Sequence, residues 1–123
     1  NYEIKVSLHG KKSKLNFVQI RPHHKIDYYI LVGLDIHYGD CGKTYIMKVS
    51  ANNIYDLLPE YGGYAHGTVK ENGIISNDNI KNNMKKECEY ALRPDPNGNT
   101  NTKPYKLWVE LSKFSVEYDD HLF

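Results

Sequence analysis

The opening residues alternate with a period of two. Tyr2, Ile4, Val6 and Leu8 fall on one side, and Glu3, Lys5, Ser7 and His9 on the other. Such alternation predicts a half-buried β-strand over 2–9. Gly10 and the lysines after it end the strand. Ser13 to Arg21 carry Leu15, Phe17, Val18 and Ile20, a spacing read as a short helix. Pro22 stops it, because the residue before a proline is biased away from helical backbone. The run DYYILVGLD, Asp27 to Asp35, is almost continuously apolar and rich in β-formers, as expected of a central strand covered on both faces. Strand, helix and buried strand make a βαβ unit with a right-handed crossover. HYGDCG, His37 to Gly42, reads as a turn, and Lys43 to Val49 as a further strand closing a hairpin.

The remainder reads as helical with polar loops. Ser50 or Asn52 can cap a helix in which Ile54, Leu57, Leu58 and Tyr61 recur at three, four and seven residues, with Pro59 and Gly62–Gly63 as breakers. GGYAHGTVKENG, 62–73, is a glycine-punctuated loop. Asp78 can cap a second helix with Ile80, Met84, Cys88 and Leu92 along one side. RPDPNGNTNTKP, 93–104, is a polar loop. Thr102 with Pro104 suits the start of a last helix, whose apolar stripe is Leu107, Trp108, Leu111, Phe114 and Tyr118. The pattern therefore predicts an α/β fold, one domain over 1–123, with core strands in 1–50 and helices and loops in 51–123.

Composition adds limits. Net charge is +1, so no bulk basic field announces a polyanion partner. The chain holds 14 Lys against 2 Arg, together with many Asn, Ile and Tyr, as an AT-rich bacterial or phage genome would supply; lysine content alone is therefore a weak signal. Cys41 and Cys88 show no metal-type spacing and no disulfide density, which favours a reducing, cytoplasmic compartment. No apolar stretch is long enough to span a bilayer. The absence of Met at position 1 points to a fragment or a processed chain.

Two residues apart on a strand, Glu3 and Lys5 share a face and lie about 6.5 Å apart along it. A carboxylate and an ammonium so placed, both turned inward to a crevice, can meet one small object, such as a hydrated magnesium ion and a phosphate. Mg²⁺ takes one or two carboxylates plus waters and phosphate oxygens, and a lysine beside it can position the attacking water or stabilise developing charge. The plain alternative is a solvated ion pair on an ordinary strand, contributing at most about 1 kcal/mol.

The succession YEIKVS, NFVQIRP and DYYILVGLD resembles the second half of a PD-(D/E)xK nuclease core of the type II restriction endonuclease kind. That resemblance covers about the first 50 residues. It implies a restriction-endonuclease-like mixed sheet flanked by helices, Mg²⁺ as cofactor and double-stranded DNA as substrate. By position, Glu3 and Lys5 match the (D/E)xK carboxylate and lysine, Ile4 the residue whose carbonyl meets the metal, and Gln19 the helix glutamine that supports the site. Ser7, on the same strand face, falls by the metal-bound water and the DNA. The family's first acidic residue belongs upstream of Glu3, where this chain has only Asn1 and Tyr2. The isolated chain is thus expected to cut DNA poorly, and a homodimer or association with an upstream segment is expected.

Around this core, Tyr64, His66, Thr68 and Lys70 in the glycine-rich loop offer donors and a ring for DNA, or form a surface loop with a structural histidine. Arg21, with Lys11, Lys12 and Lys14, flanks the site and can touch phosphates. His23 and His24 read as solvated turn residues, and Cys88 and Trp108 as core. Two other functions stay open: a nucleic-acid- or protein-binding module with a nuclease-like core, and a small α/β interaction domain in which Glu3 and Lys5 only solvate a strand.

Overall fold

The apolar run Tyr28–Asp35 forms the central strand of a mixed sheet, β3, as its composition demands. On one side it pairs in parallel with β1 (Tyr2–His9), and on the other antiparallel with β4 (Lys43–Ser50). A computed structural model provides these assignments and describes residues 1–9, 14–22, 24–35, 42–64, 75, 80 and 89–117. A second sheet has the order β2-β6-β5, from β2 (Phe17–Ile20), β5 (Gly63–Tyr64) and β6 (Tyr90–Leu92), all antiparallel. Two helices complete the described elements: α1 (Ala51–Tyr61) and α2 (Lys103–Ser112). The protein is mixed α/β.

Local chemistry accounts for the helix starts. The Ser50 hydroxyl accepts a hydrogen bond from the Asn53 amide, satisfying one orphan donor of α1. Ala51, Ile54 and Leu58 then fall on the buried side. Helix α1 continues through Pro59 to Tyr61 rather than breaking there; Gly62 stops it, with its amide on the Leu58 carbonyl. In α2, Leu107 and Leu111 are buried, and Trp108 meets Tyr45 edge-on at 4.7 Å between ring centres. After α2 the chain turns at 113–114, the Phe114 amide donating to the Leu111 carbonyl at 3.0 Å, and then runs beside β4, the Val116 amide donating to the Ile46 carbonyl at 2.9 Å. Phe114 therefore belongs to the turn after the helix and not to the helix.

The core sits between the inner face of the first sheet, the two helices and the second sheet. Leu15, Phe17, Tyr29, Leu31, Met47, Ile54, Leu92 and Leu107 are among its members. Leu15 lies directly over Gly33, where a β-carbon would overlap its methyl groups. That close approach carries the chain before β2 across the sheet, with the Asn16 amide donating to Ser7 Oγ at 2.7 Å.

Two expectations are corrected, and the facing of β1 is decided. First, the segment expected as a helix over 13–21 contains strand β2 instead. Its Leu15, Phe17 and Ile20 are buried while Val18 and Gln19 are exposed, and Gln19 takes a positive φ of 57° at the bulge. Side-chain periodicity was too short there to separate the two, and antiparallel pairing with β6 decided it. Second, Tyr90–Leu92, expected at the end of a helix, is that partner strand; Ile80 is helical and buried, and Asp78, Met84 and Cys88 lie outside the described residues.

Third, β1 buries its polar row, as a Glu3–Lys5 active pair requires, and not the apolar row that the hydrophobic rule alone would bury. Its apolar side is the exposed one: Tyr2 is 44% exposed, Ile4 50%, Val6 59% and Leu8 64%. Glu3, Lys5 and Ser7 point toward the core. Register explains this: Glu3, Lys5 and Ser7 stand opposite Tyr29, Leu31 and Gly33, which face inward. A one-residue slip would turn the whole apolar set inward. Part of the outer row is screened, for Tyr2 stacks on Tyr28 at 5.8 Å and the Lys48 ammonium lies 5.0 and 4.9 Å from the two ring centres.

Candidate active site

Because β1 turns its polar row inward, Glu3 and Lys5 meet under the protein surface. Lys5 Nζ lies 2.7 Å from Glu3 Oε1, and the two side chains are only 13% and 22% exposed. The ammonium also donates to the main-chain carbonyl of Gln19 at 3.0 Å. Glu3 Oε2 is buried and has no hydrogen-bond partner. A carboxylate with one oxygen paired and the other bare is an expensive thing to bury.

Two tyrosines adjoin the pair. Tyr29 is the cross-strand neighbour of Glu3, and its hydroxyl is 3.1 Å from that of Tyr55 on α1. Burial pushes the Tyr29 phenol well above its ordinary range; the hydrogen bond to Tyr55, the charge of Tyr55 and that of Glu3 add to the rise, and a main-chain hydrogen bond with Arg21 opposes it. Burial likewise raises Tyr55, the bond to Tyr29 opposes the rise and Glu3 adds to it. Both phenols stay protonated at neutral pH, so they act as hydrogen-bonding groups and not as bases.

The sign of the resulting pH dependence follows. Unfolded tyrosine ionises near pH 10, whereas folded Tyr29 holds its proton well beyond that. The stability conferred is fully present below about pH 10 and is lost as pH rises beyond it, by up to about 1.4 kcal/mol per pH unit for one such group. Urea unfolding followed by Trp108 fluorescence is therefore expected to show a midpoint that falls from pH 9 to pH 11. Tyr29→Phe is expected to flatten that fall.

The other sequence candidates are placed as follows. Gln19 meets Lys5 through its backbone, and its side chain is exposed, so the supporting role expected of a helix glutamine passes to a strand carbonyl. Ser7 is buried, with its hydroxyl accepting from Asn16. The Ile4 side chain points outward. Arg21 is half-buried, its Nε and Nη2 donating to Glu89 Oε1 at 3.0 and 2.5 Å. Tyr64 lies in β5, opposite Tyr90. His66, Thr68 and Lys70 lie outside the described residues, as do Lys11, Lys12, His23 and Cys41. Sequence reasoning missed Tyr29 and Tyr55. Within an apolar strand and an amphipathic helix they look like packing residues, and no local signal marks their hydroxyls.

Does the cluster suit magnesium? Glu3 Oε2 is a hard, buried oxygen without a partner, which fits one ligand of such a site. Among the described residues no group of three or more His, Cys, Asp or Glu side chains comes together. The fit is thus to a single carboxylate ligand. No helix among the described residues is long and apolar enough to cross a membrane.

No family model, curated protein or solved structure matches the chain.

Proposed function

We propose that this chain carries the glutamate–lysine portion of a Mg²⁺-dependent DNA phosphodiesterase of restriction-endonuclease type. What supports the reading most is the inward turn of Glu3 and Lys5, with Glu3 Oε2 left unsatisfied, while an apolar row is exposed on the opposite side of the same strand. Folding alone favours the reverse. The parallel pairing of β1 with β3 adds support, while the segment between them holds β2 where the resemblance implies a helix.

Bound magnesium would polarise a phosphate and lower the pKa of a bound water. Glu3 would hold the ion through Oε2. Lys5, already aimed by the Gln19 carbonyl and Glu3 Oε1, would donate to the attacking water or to the non-bridging oxygens of the phosphate. Tyr29 and Tyr55 would keep their protons and fix the back of the site.

The test is plasmid cleavage with Mg²⁺ by the full natural polypeptide that contains this chain. Lys5→Met and Glu3→Gln are each expected to lower the cutting rate by about a hundredfold or more. Unchanged cutting in both variants overturns the assignment.

A second reading is a nucleic-acid- or protein-binding module with a nuclease-like core. The 2.7 Å Glu3–Lys5 contact favours it, since Lys5 there serves Glu3 and a carbonyl. In that case partner binding, and no cleavage, survives in the natural polypeptide.

A further inference from the structure

A second cleft shares no lining residue with the Glu3–Lys5 cluster. It forms where the end of α1, the start of α2 and the chain before β2 converge, and has a volume of about 330 Å³. Three cations, Lys14, Arg93 and Lys103, line it against one carboxylate, Glu60. A neighbouring hollow of about 400 Å³ shares Lys14 and Pro104 and is walled by the polar turn after β6. These volumes lie at the small-ligand end of ordinary binding pockets, about 300–1,000 Å³.

The fold holds the cations in place. Arg93 follows β6 directly, and its guanidinium lies against the backbone of Gly63, where a β-carbon would collide with it. Gly63 is thereby a cradle for the guanidinium. Lys14 precedes Leu15, whose amide is tied to the Pro94 carbonyl at 3.0 Å. Lys103 Nζ reaches the Glu60 carbonyl at 3.5 Å, at the rim. The N-terminus of α2 opens beside Pro104. Thr102, its N-cap residue, makes no side-chain cap; its hydroxyl instead donates backward to the Asn99 carbonyl at 2.7 Å. The first turn of α2 thus lacks a side-chain cap, and Pro104 in it brings no N–H.

We propose that this cleft binds a phosphate group, either free or within a nucleic-acid backbone. A fixed guanidinium and two ammonium groups are the donors such a tetrahedral anion takes up. The site stands independently of the reading given to Glu3 and Lys5.

Amide chemical shifts of the full chain, titrated with inorganic phosphate and separately with a short DNA duplex, test it. Saturable shifts at Gly62, Gly63, Lys103, Tyr105 and Lys106 with inorganic phosphate support the proposal and identify the free anion as sufficient. The same shifts with the duplex alone support it with the backbone as source. Lys14→Gln combined with Lys103→Gln, both exposed positions, is expected to weaken either response by about tenfold. Lys5→Met is expected to leave the response to inorganic phosphate intact. Absence of shifts with both probes, or shifts that survive the double substitution, overturns the proposal. So does loss of the response to inorganic phosphate in a folded Lys5→Met variant, since the two sites would then be one.

Discussion

Lys5→Ala is expected to lower stability by about 2–3 kcal/mol, measured by urea denaturation. The substitution leaves the Glu3 carboxylate facing the core without its cation, and one of its oxygens already lacks a partner. Breaking a fully buried pair costs about 3–5 kcal/mol; the residual exposure of both side chains reduces that here. The informative comparison is the double variant Glu3→Leu with Lys5→Met. Apolar side chains of similar size would pack on Leu31 and the Tyr29 ring with no charge to desolvate. The double variant is expected to be at least as stable as the parent, because replacing a buried ion pair by apolar residues is commonly neutral or stabilising by about 1–4 kcal/mol. Loss as large as that of Lys5→Ala would instead make the pair a stability device. Gain in stability, joined to loss of cleavage in the natural polypeptide, is the signature of a site held against the interest of the fold.

Helix starts and the β3–β4 hairpin were legible because local chemistry determines them. Ser50 and the Thr102–Pro104 pair act within one turn, and an apolar run such as YYILVGL suits a strand with neighbours on both edges, although its outer face is covered only in part, with Tyr28 40% exposed. The facing of β1 was not legible in its alternation, although an active Glu3–Lys5 pair requires the inward turn it has. Its alternation says that one side differs from the other, and the hydrophobic rule assigns the apolar side to the interior. Pairing with β3 assigned the opposite, through contacts some 25 residues away in sequence. Part of the candidate site was readable nonetheless: Glu3 and Lys5 share a face and meet, as spacing on a strand requires. The partner of Lys5 was half readable, since Gln19 is the residue but its carbonyl is the group. Lys14, Arg93 and Lys103 are scattered over 90 residues of a lysine-rich chain. Only the packing of Arg93 on Gly63 and the closing of α2 on α1 bring them together.

The strand at 17–20 makes a sharper test, because strand and helix predict opposite signs at one residue. Gln19 sits at φ 57°, a conformation in which a side chain costs about 1 kcal/mol and glycine costs little. Gln19→Gly is therefore expected to stabilise by about 0.5–1 kcal/mol; within a helix the same change would destabilise by about 1 kcal/mol. Flanking positions carry the magnitude. Phe17 is fully buried in the core, and Phe17→Ala is expected to cost about 3–5 kcal/mol. That is a large share of the 5–15 kcal/mol, roughly, that holds an ordinary domain together. Val18, its neighbour, is 40% exposed, and Val18→Ala is expected to change stability by no more than about 0.5 kcal/mol. A helix packed on the core through Leu15 and Val18 would reverse that order, because residues three apart share a helical face and adjacent ones do not. Thermal and urea unfolding of the three single variants decide the matter.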